Sequence, residues 1–278
     1  MNVTRALIMN EQVSFTLANT TDMVKEAVKL HSLAPTSALV LGKALSAMTF
    51  MSACLKQETG EISLAVQADG LGGQICVSGN HKLFLRGFIQ NTAIINATEQ
   101  ECLGEGALTI IRDDGYNRPF VGSCALVKDG GIDEAFEEYF KVSEQLPTRM
   151  KTVVETDENG RVVFAGVAVL QPLPFADIKT LEAVKEIPLT TVLAQLKKAK
   201  TEETVNGFFP DCTAMQTRTA QYKCNCSKDY LSRVLVTLGE EQLREIIKQD
   251  GKVSVHCHYC NQDYVFTDKD ADALFQKD

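Results

Sequence analysis

Positive charge is in short supply here: 28 Lys and Arg stand against 36 Asp and Glu, for a formal net charge of −8. That balance removes any general attraction to nucleic acid or anionic lipid, so neither is expected as a partner. Residues 1–15, MNVTRALIMNEQVSF, lack the apolar run behind a basic start and the small-residue cleavage pattern of a secretory signal. A cytoplasmic protein is the expectation. A phosphate loop is missing too, because ADGLGGQI at 68–75 has no Lys-Ser/Thr after its glycines and opens no long amphipathic helix; a turn is expected instead. His31 and His81 have no carboxylate or cysteine at an informative spacing, and no nucleophile–base–acid set stands out. No catalytic residue and no nucleotide cofactor is assigned, and the chain shows no internal repeat or low-complexity tract.

One stretch resembles a membrane span at first sight. Residues 37–55, SALVLGKALSAMTFMSACL, carry Lys43 as their only charge. Their apolar content is mostly alanine diluted by Ser, Thr and Gly, so the pattern predicts a helix buried in a protein core, with Thr36 after Pro35 as its N-cap. Around it, residues 1–175 read as one mixed domain. Strands are predicted at 13–18, 62–68, 82–88, 107–113 and 162–170, and helices at about 20–31, 36–56 and 132–146. Asn-Gly within ENG at 158–160 supplies hairpin chemistry.

After QPLPF at 171–175 the texture changes. Residues 176–221 hold two weakly amphipathic Lys/Glu-rich helical stretches, then a polar stretch containing Gly207 and Pro210. Such a segment suits a helical linker that folds only by packing on a neighbour, although a permanently ordered pair of surface helices fits the local pattern as well. Residues 222–278 read as a compact α+β unit. Ser227 caps a helix with Leu231, Val234, Leu235 and Leu238 on one face, Gly239 stops it, a second helix carries Leu243, Ile246 and Ile247 to Gly251, and a hairpin follows.

Nine cysteines make an odd total, which argues against a fully paired disulfide framework. Four of them cluster: Cys224 and Cys226 lie one residue apart in YKCNCSKDY, and Cys257 and Cys260 lie two apart in HCHYC. Folding back across 227–256 would bring four soft ligands together, the donor set of a closed structural zinc site. His256 and His258 could replace a sulfur, but a complete cysteine set makes that unnecessary. Structural zinc contributes on the order of 10–16 kcal/mol in small fingers, so removing the metal should unfold so small a unit. Three readings stay open: a passive zinc knuckle, a thiol oxidoreductase using Cys257 and Cys260, and a switch in which oxidation ejects the metal and unfolds the tail. Cys54, Cys76, Cys102 and Cys124 are expected to be buried small apolar residues, and Cys212, in the linker, could form a mixed or intermolecular disulfide.

CNCS followed by HCHYCNQDYVF resembles the signature of the redox-regulated heat-shock chaperone family, the 33 kDa chaperonins. APTSALVLGKALSA, VQADGLGGQI, RGFIQN, LGEGALTIIRD and EEYFKVSEQLPT are similar to that family's segments in their usual order. The resemblance covers nearly the whole chain. It implies an α+β fold with an N-terminal β/α/β sandwich around a buried helix, a metastable linker and a zinc-binding tail. It also implies a cytoplasmic, ATP-independent holdase, not an enzyme, holding one zinc per chain through Cys224, Cys226, Cys257 and Cys260 when reduced and inactive. Oxidation would pair Cys224 with Cys226 and Cys257 with Cys260, release zinc, unfold tail and linker, and expose apolar surface to unfolding client proteins, often in a homodimer.

Overall fold

The computed structural model describes residues 1–275; the last three positions of the expected C-terminal unit lie outside them. The chain forms two compact units, Met1–Lys223 and a second beginning at Cys224. In the first unit the order is β1 (Asn2–Ile8), β2 (Val13–Asn19), α1 (Thr21–His31), α2 (Pro35–Ala53), β3 (Glu61–Ala68), β4 (Ile75–Asn80), β5 (Phe84–Ile89), α3 (Glu99–Leu103), β6 (Gly106–Asp113) and β7 (Phe120–Ala125). Then come α4 (Ile132–Tyr139), which runs into a π-helical turn at Phe140–Glu144, β8 (Arg149–Thr156), β9 (Val162–Pro172), α5 (Ile178–Glu186), α6 (Leu189–Leu196), α7 (Thr201–Phe208), β10 (Thr213–Thr219) and β11 (Gln221–Tyr222).

These strands make a five-stranded sheet, β10-β1-β2-β9-β8, and a six-stranded sheet, β11-β5-β4-β3-β6-β7. Helix α2 lies between them, and every residue from Thr36 to Ala53 except Leu39 is buried. Val167 and Val169 of one sheet and Leu64, Val77 and Leu108 of the other join Leu41, Leu45 and Met48 in one core. The expected β/α/β sandwich with a buried helix is the observed fold, and no helix among the described residues is long and apolar enough to cross a membrane. Two hydroxyls inside α2 are satisfied locally: Ser46 and Thr49 donate to the carbonyls four residues back, at 2.8 Å each. Gly42 allows the close approach of neighbours, since an added Cβ would fall 2.8 Å from Val24 and 2.9 Å from Val154.

Thr36 does not cap α2. Ala34 holds the N-cap position, Pro35 starts the helix with a pre-set φ, and the Thr36 hydroxyl donates instead to the Ala97 carbonyl at 3.1 Å. Lys43, the lone charge of the segment, reaches Glu99 at 2.6 Å and Asp133 at 3.7 Å. Asp133 in turn pairs with Lys151 at 2.9 Å and accepts from the Thr152 amide at 2.9 Å. The central helix is thereby tied to α3, α4 and β8 by one buried ionic network.

The stretch 176–221 is ordered throughout and is only partly helical. Its polar portion, to which the sequence assigns no element, forms α7 and then β10, which extends the five-stranded sheet beside β1. Alternation along β1 explains the placement: Val3 faces the central core, whereas Ala6 and Ile8 face the other side. On that outer side, Val13, Phe15, Leu17, Phe164 and Leu170 are covered by Leu189, Val192, Leu193, Leu196 and Val205 of α6 and α7. The sheet is therefore apolar on both faces, and the segment after β9 supplies its second cover.

Asp133 is buried beside two lysines and accepts from the Thr152 amide, whereas Lys43 keeps Glu99 as a partner and Lys151 is partly exposed. Asp133→Ala should therefore lower the unfolding free energy of the first unit by about 1–3 kcal/mol in urea titrations, the cost of a buried donor left unsatisfied, and a loss under about 0.5 kcal/mol would show that Asp133 is not a structural tie.

Candidate metal centre

The second unit begins at the first clustered cysteine. Ser227 caps α8 (Lys228–Val236) and its hydroxyl accepts from the Tyr230 amide at 3.1 Å. Helix α9 (Glu240–Asp250) ends at Gly251, whose φ of +75° suits glycine. Strands β12 (Val253–Cys257) and β13 (Gln262–Phe266) form the predicted hairpin, and α10 (Asp268–Phe275) follows, an element the sequence reading did not include. The buried core consists of Leu235, Leu243, Ile247, Phe266 and Ala271. The apolar face expected on α8 is only half used: Leu235 is buried, while Val234 and Leu238 are 46% and 44% exposed. So small a core supplies little stability of its own.

Cys257 ends β12, and Cys260 sits in the turn that follows, where the Asn261 amide bonds the Cys257 carbonyl at 2.8 Å. Cys224 and Cys226 reach the same point from the segment before α8. All four Sγ atoms lie within 4.8 Å of one another, with Cys224–Cys226 at 3.2 Å, Cys226–Cys260 at 3.1 Å and Cys224–Cys257 at 3.7 Å. A tetrahedral ion with metal–sulfur bonds of about 2.3 Å, the zinc value, sets its sulfurs about 3.8 Å apart. The donor set and its spacing fit such an ion, and these four cysteines can hold a metal.

The charge pattern is that of a site built for a cation. Burial pushes the Cys224 thiol up to about 11 and raises Cys260 still further, helped by the neighbouring sulfurs. Burial also acts against ionisation of Cys226, but hydrogen bonds from Tyr264 and from the other three thiols outweigh it and bring that thiol down to about 7. A divalent ion is what would stabilise further thiolates among the four. Tyr264, 3.2 Å from Cys226, is a member of the site that sequence reading missed. Its only signal was its position opposite Val255 across the hairpin.

The remaining candidates are elsewhere. His256 and His258 stand edge to face with ring centroids 5.0 Å apart, His256 bonds Asp263 at 2.8 Å, and neither imidazole belongs to the four-sulfur group. Cys102 and Cys124 are buried as expected, whereas Cys54 and Cys76 are only partly so, because they lie at a helix end and on an outer strand face. Burial raises all four thiols, Cys102 and Cys124 to about 11, which keeps them protonated near neutrality. Cys212 lies in the turn before β10, 3.4 Å from Asn206 Oδ1. His31 reaches the Tyr222 hydroxyl at 3.1 Å, and that hydroxyl donates to the Gly87 carbonyl at 2.9 Å, pinning β11 just ahead of Cys224.

The family model for "Hsp33 protein" matches residues 2–267, which takes in both units and all four clustered cysteines. The chain belongs to the Hsp33 family. Relatives include the 33 kDa chaperonin of Acetivibrio thermocellus, 32% identical over 96% of this chain and 94% of that one, and the 33 kDa chaperonin of Bacillus mycoides, 32% identical over 98% of both. The crystal structure of the 33 kDa chaperonin of Thermotoga maritima, a heat shock protein 33 homologue, superposes with a TM-score of 0.84 at 25% identity, covering 98% of this chain and 97% of that one.

Cobalt titration of the reduced protein, followed by thiolate-to-metal charge-transfer absorption, should saturate at one ion per chain. Cys260→Ala should weaken binding by at least about 100-fold, since losing a ligand costs more than the 10–100-fold typical of outer-shell changes; undiminished binding would exclude the four-sulfur site. Because ligands must be thiolates, acid should release the ion as pH falls and unfold the second unit, while residues 1–175 stay largely folded.

Proposed function

We propose that this Hsp33 is an oxidation-activated, ATP-independent holdase of the cytoplasm that acts by binding and not by catalysis. In the reduced protein one zinc ion is held by Cys224, Cys226, Cys257 and Cys260, and the protein is inactive. The observation that carries this reading is the four-sulfur cluster at the base of a unit with only five buried core residues. Zinc at such a site contributes on the order of 10–16 kcal/mol, so metal occupancy and folding of the unit are one equilibrium.

Two peroxide molecules would oxidise the four thiolates to two disulfides: each peroxide accepts two electrons, takes up protons and leaves as water, and zinc loses its ligands. The pairing Cys224–Cys226 and Cys257–Cys260 follows the family resemblance; the 3.1 Å approach of Cys226 to Cys260 makes a cross-pair geometrically open as well. Loss of the tail's fold would then extend to the segment 176–221. Its helices span eight or nine residues, too short to persist alone, so they depend on the surface they cover. Their departure would bare Phe15, Leu17, Phe164 and Leu170, side chains whose full burial stabilises by about 1.5–3 kcal/mol each. That surface suits the exposed apolar segments of unfolding client proteins, and it suits a homodimer of the oxidised form. The net charge of −8 gives neither nucleic acid nor membrane a part in this.

The test is to treat the reduced, zinc-loaded protein with peroxide at an unfolding temperature and follow zinc release and light scattering of an aggregating client together. Zinc release and suppressed aggregation should appear in step. Zinc retained at full oxidant exposure would favour a passive knuckle, zinc release without protection would remove the holdase reading, and turnover of a disulfide substrate would favour an oxidoreductase.

A further inference from the structure

The segment 176–221 holds two elements that differ in how they are kept in place. Helix α6 buries Leu189, Val192, Leu193 and Leu196. Strand β10, TAMQTRT, buries nothing fully: Thr213, Ala214, Gln216, Thr217 and Thr219 are exposed, and Met215 and Arg218 are half-buried. It stays on β1 through an antiparallel ladder running from Asn2 opposite Thr219 to Leu7 opposite Thr213. A register shift interrupts that ladder between Arg5 and Leu7, and Ala214 takes a φ of +49°, a conformation that residues with a Cβ rarely adopt. Its side-chain ties are few: Thr217 to Thr4 at 2.8 Å, Thr213 to Glu11 at 2.8 Å, and Arg218 to the His81 carbonyl.

Strand β1 is the opposite case. Its other edge is paired with β2 from Val3 to Ile8, Val3 is fixed in the central core, and Arg5 bonds the Ala53 carbonyl at the end of α2 at 3.0 Å. If β10 leaves, β1 remains in place and presents a straight row of unpaired N–H and C=O groups. Main-chain pairing of that kind does not read sequence, and the present occupant shows that the edge makes almost no demand on the incoming side chains. An extended run of residues is all the edge requires.

We propose that the β1 edge now filled by β10 is a strand-addition site for client polypeptide, with β10 as its intramolecular placeholder. The proposal rests on release of the segment 176–221 under oxidation and adds to it the binding mode: an extended client segment pairs with β1 antiparallel, as β10 does. Backbone pairing gives tolerance of many sequences, and the apolar surface beside the edge, Ala6 and Ile8 next to Phe15, takes whatever hydrophobic side chains the segment carries.

Hydrogen–deuterium exchange on the full chain tests this in three states: reduced, oxidised, and oxidised with thermally unfolding citrate synthase as the client. The β1 amides that face β10 should be protected, then exchange freely, then regain protection, while the β10 amides at Thr213–Thr219 stay exchangeable with client bound. Protected β1 amides after complete oxidation would overturn this inference together with the release on which it rests. Exchangeable β1 amides in the presence of a client that is visibly kept soluble would overturn the inference alone. Protection that returns without client and rises with protein concentration would give the edge to a second copy of the chain, and joint re-protection of β1 and β10 would mean that the placeholder had simply re-docked.

Discussion

Four sulfurs within 4.8 Å of one another cannot all be thiolates unless something positive sits among them. Protons, a metal ion and sulfur–sulfur bonds are the three ways to remove that repulsion, and in the proposed switch each would correspond to a different state. The surrounding unit has too little core to be indifferent to the choice, since Leu235, Leu243, Ile247, Phe266 and Ala271 are its whole buried apolar content among the described residues. Hydrogen bonds from Tyr264 and the neighbouring thiols lower the Cys226 thiol, while burial raises Cys224 and Cys260, so a cation among them is what would stabilise further thiolates.

The first unit has a related dependence on its own chain. A sheet with one apolar face needs one cover; this sheet has two apolar faces, filled on the inside by α2 and on the outside by α6 and α7. The inner cover is tied by Lys43, Glu99, Asp133 and Lys151 and by burial along almost all of α2. The outer cover consists of short helices and a polar edge strand, and the chain that forms it runs through β11 directly into Cys224. One cover is structural in the ordinary sense. The other is attached, through covalent continuity, to the four cysteines that can hold a metal.

Much of this was legible in the sequence because the relevant signals are local. Alanine-rich composition with one charge marked α2 as internal, the cysteine spacing marked the metal centre, and Asn159-Gly160 marked the β8–β9 hairpin. The failures share a cause as well. The β1–β2 hairpin turns through Met9, Asn10 and Glu11, all at positive φ and none a glycine, so no turn signal announced it. Strand β10 is polar because it lies at an edge, and without an alternating apolar pattern no strand is expected there. Thr36 looked like a cap and became a tertiary donor to Ala97, while Tyr264 entered the site through hairpin register, which spacing alone does not give.

The central claim is that metal, tail and outer cover are coupled, and it is tested most directly by measuring two time courses in one oxidised sample. One is metal release, read with a chromophoric chelator; the other is loss of exchange protection at the α6 amides, Leu189–Leu196. The account predicts that α6 protection disappears only after metal has left, and in the same proportion of molecules. Complete metal release with α6 still fully protected would contradict it.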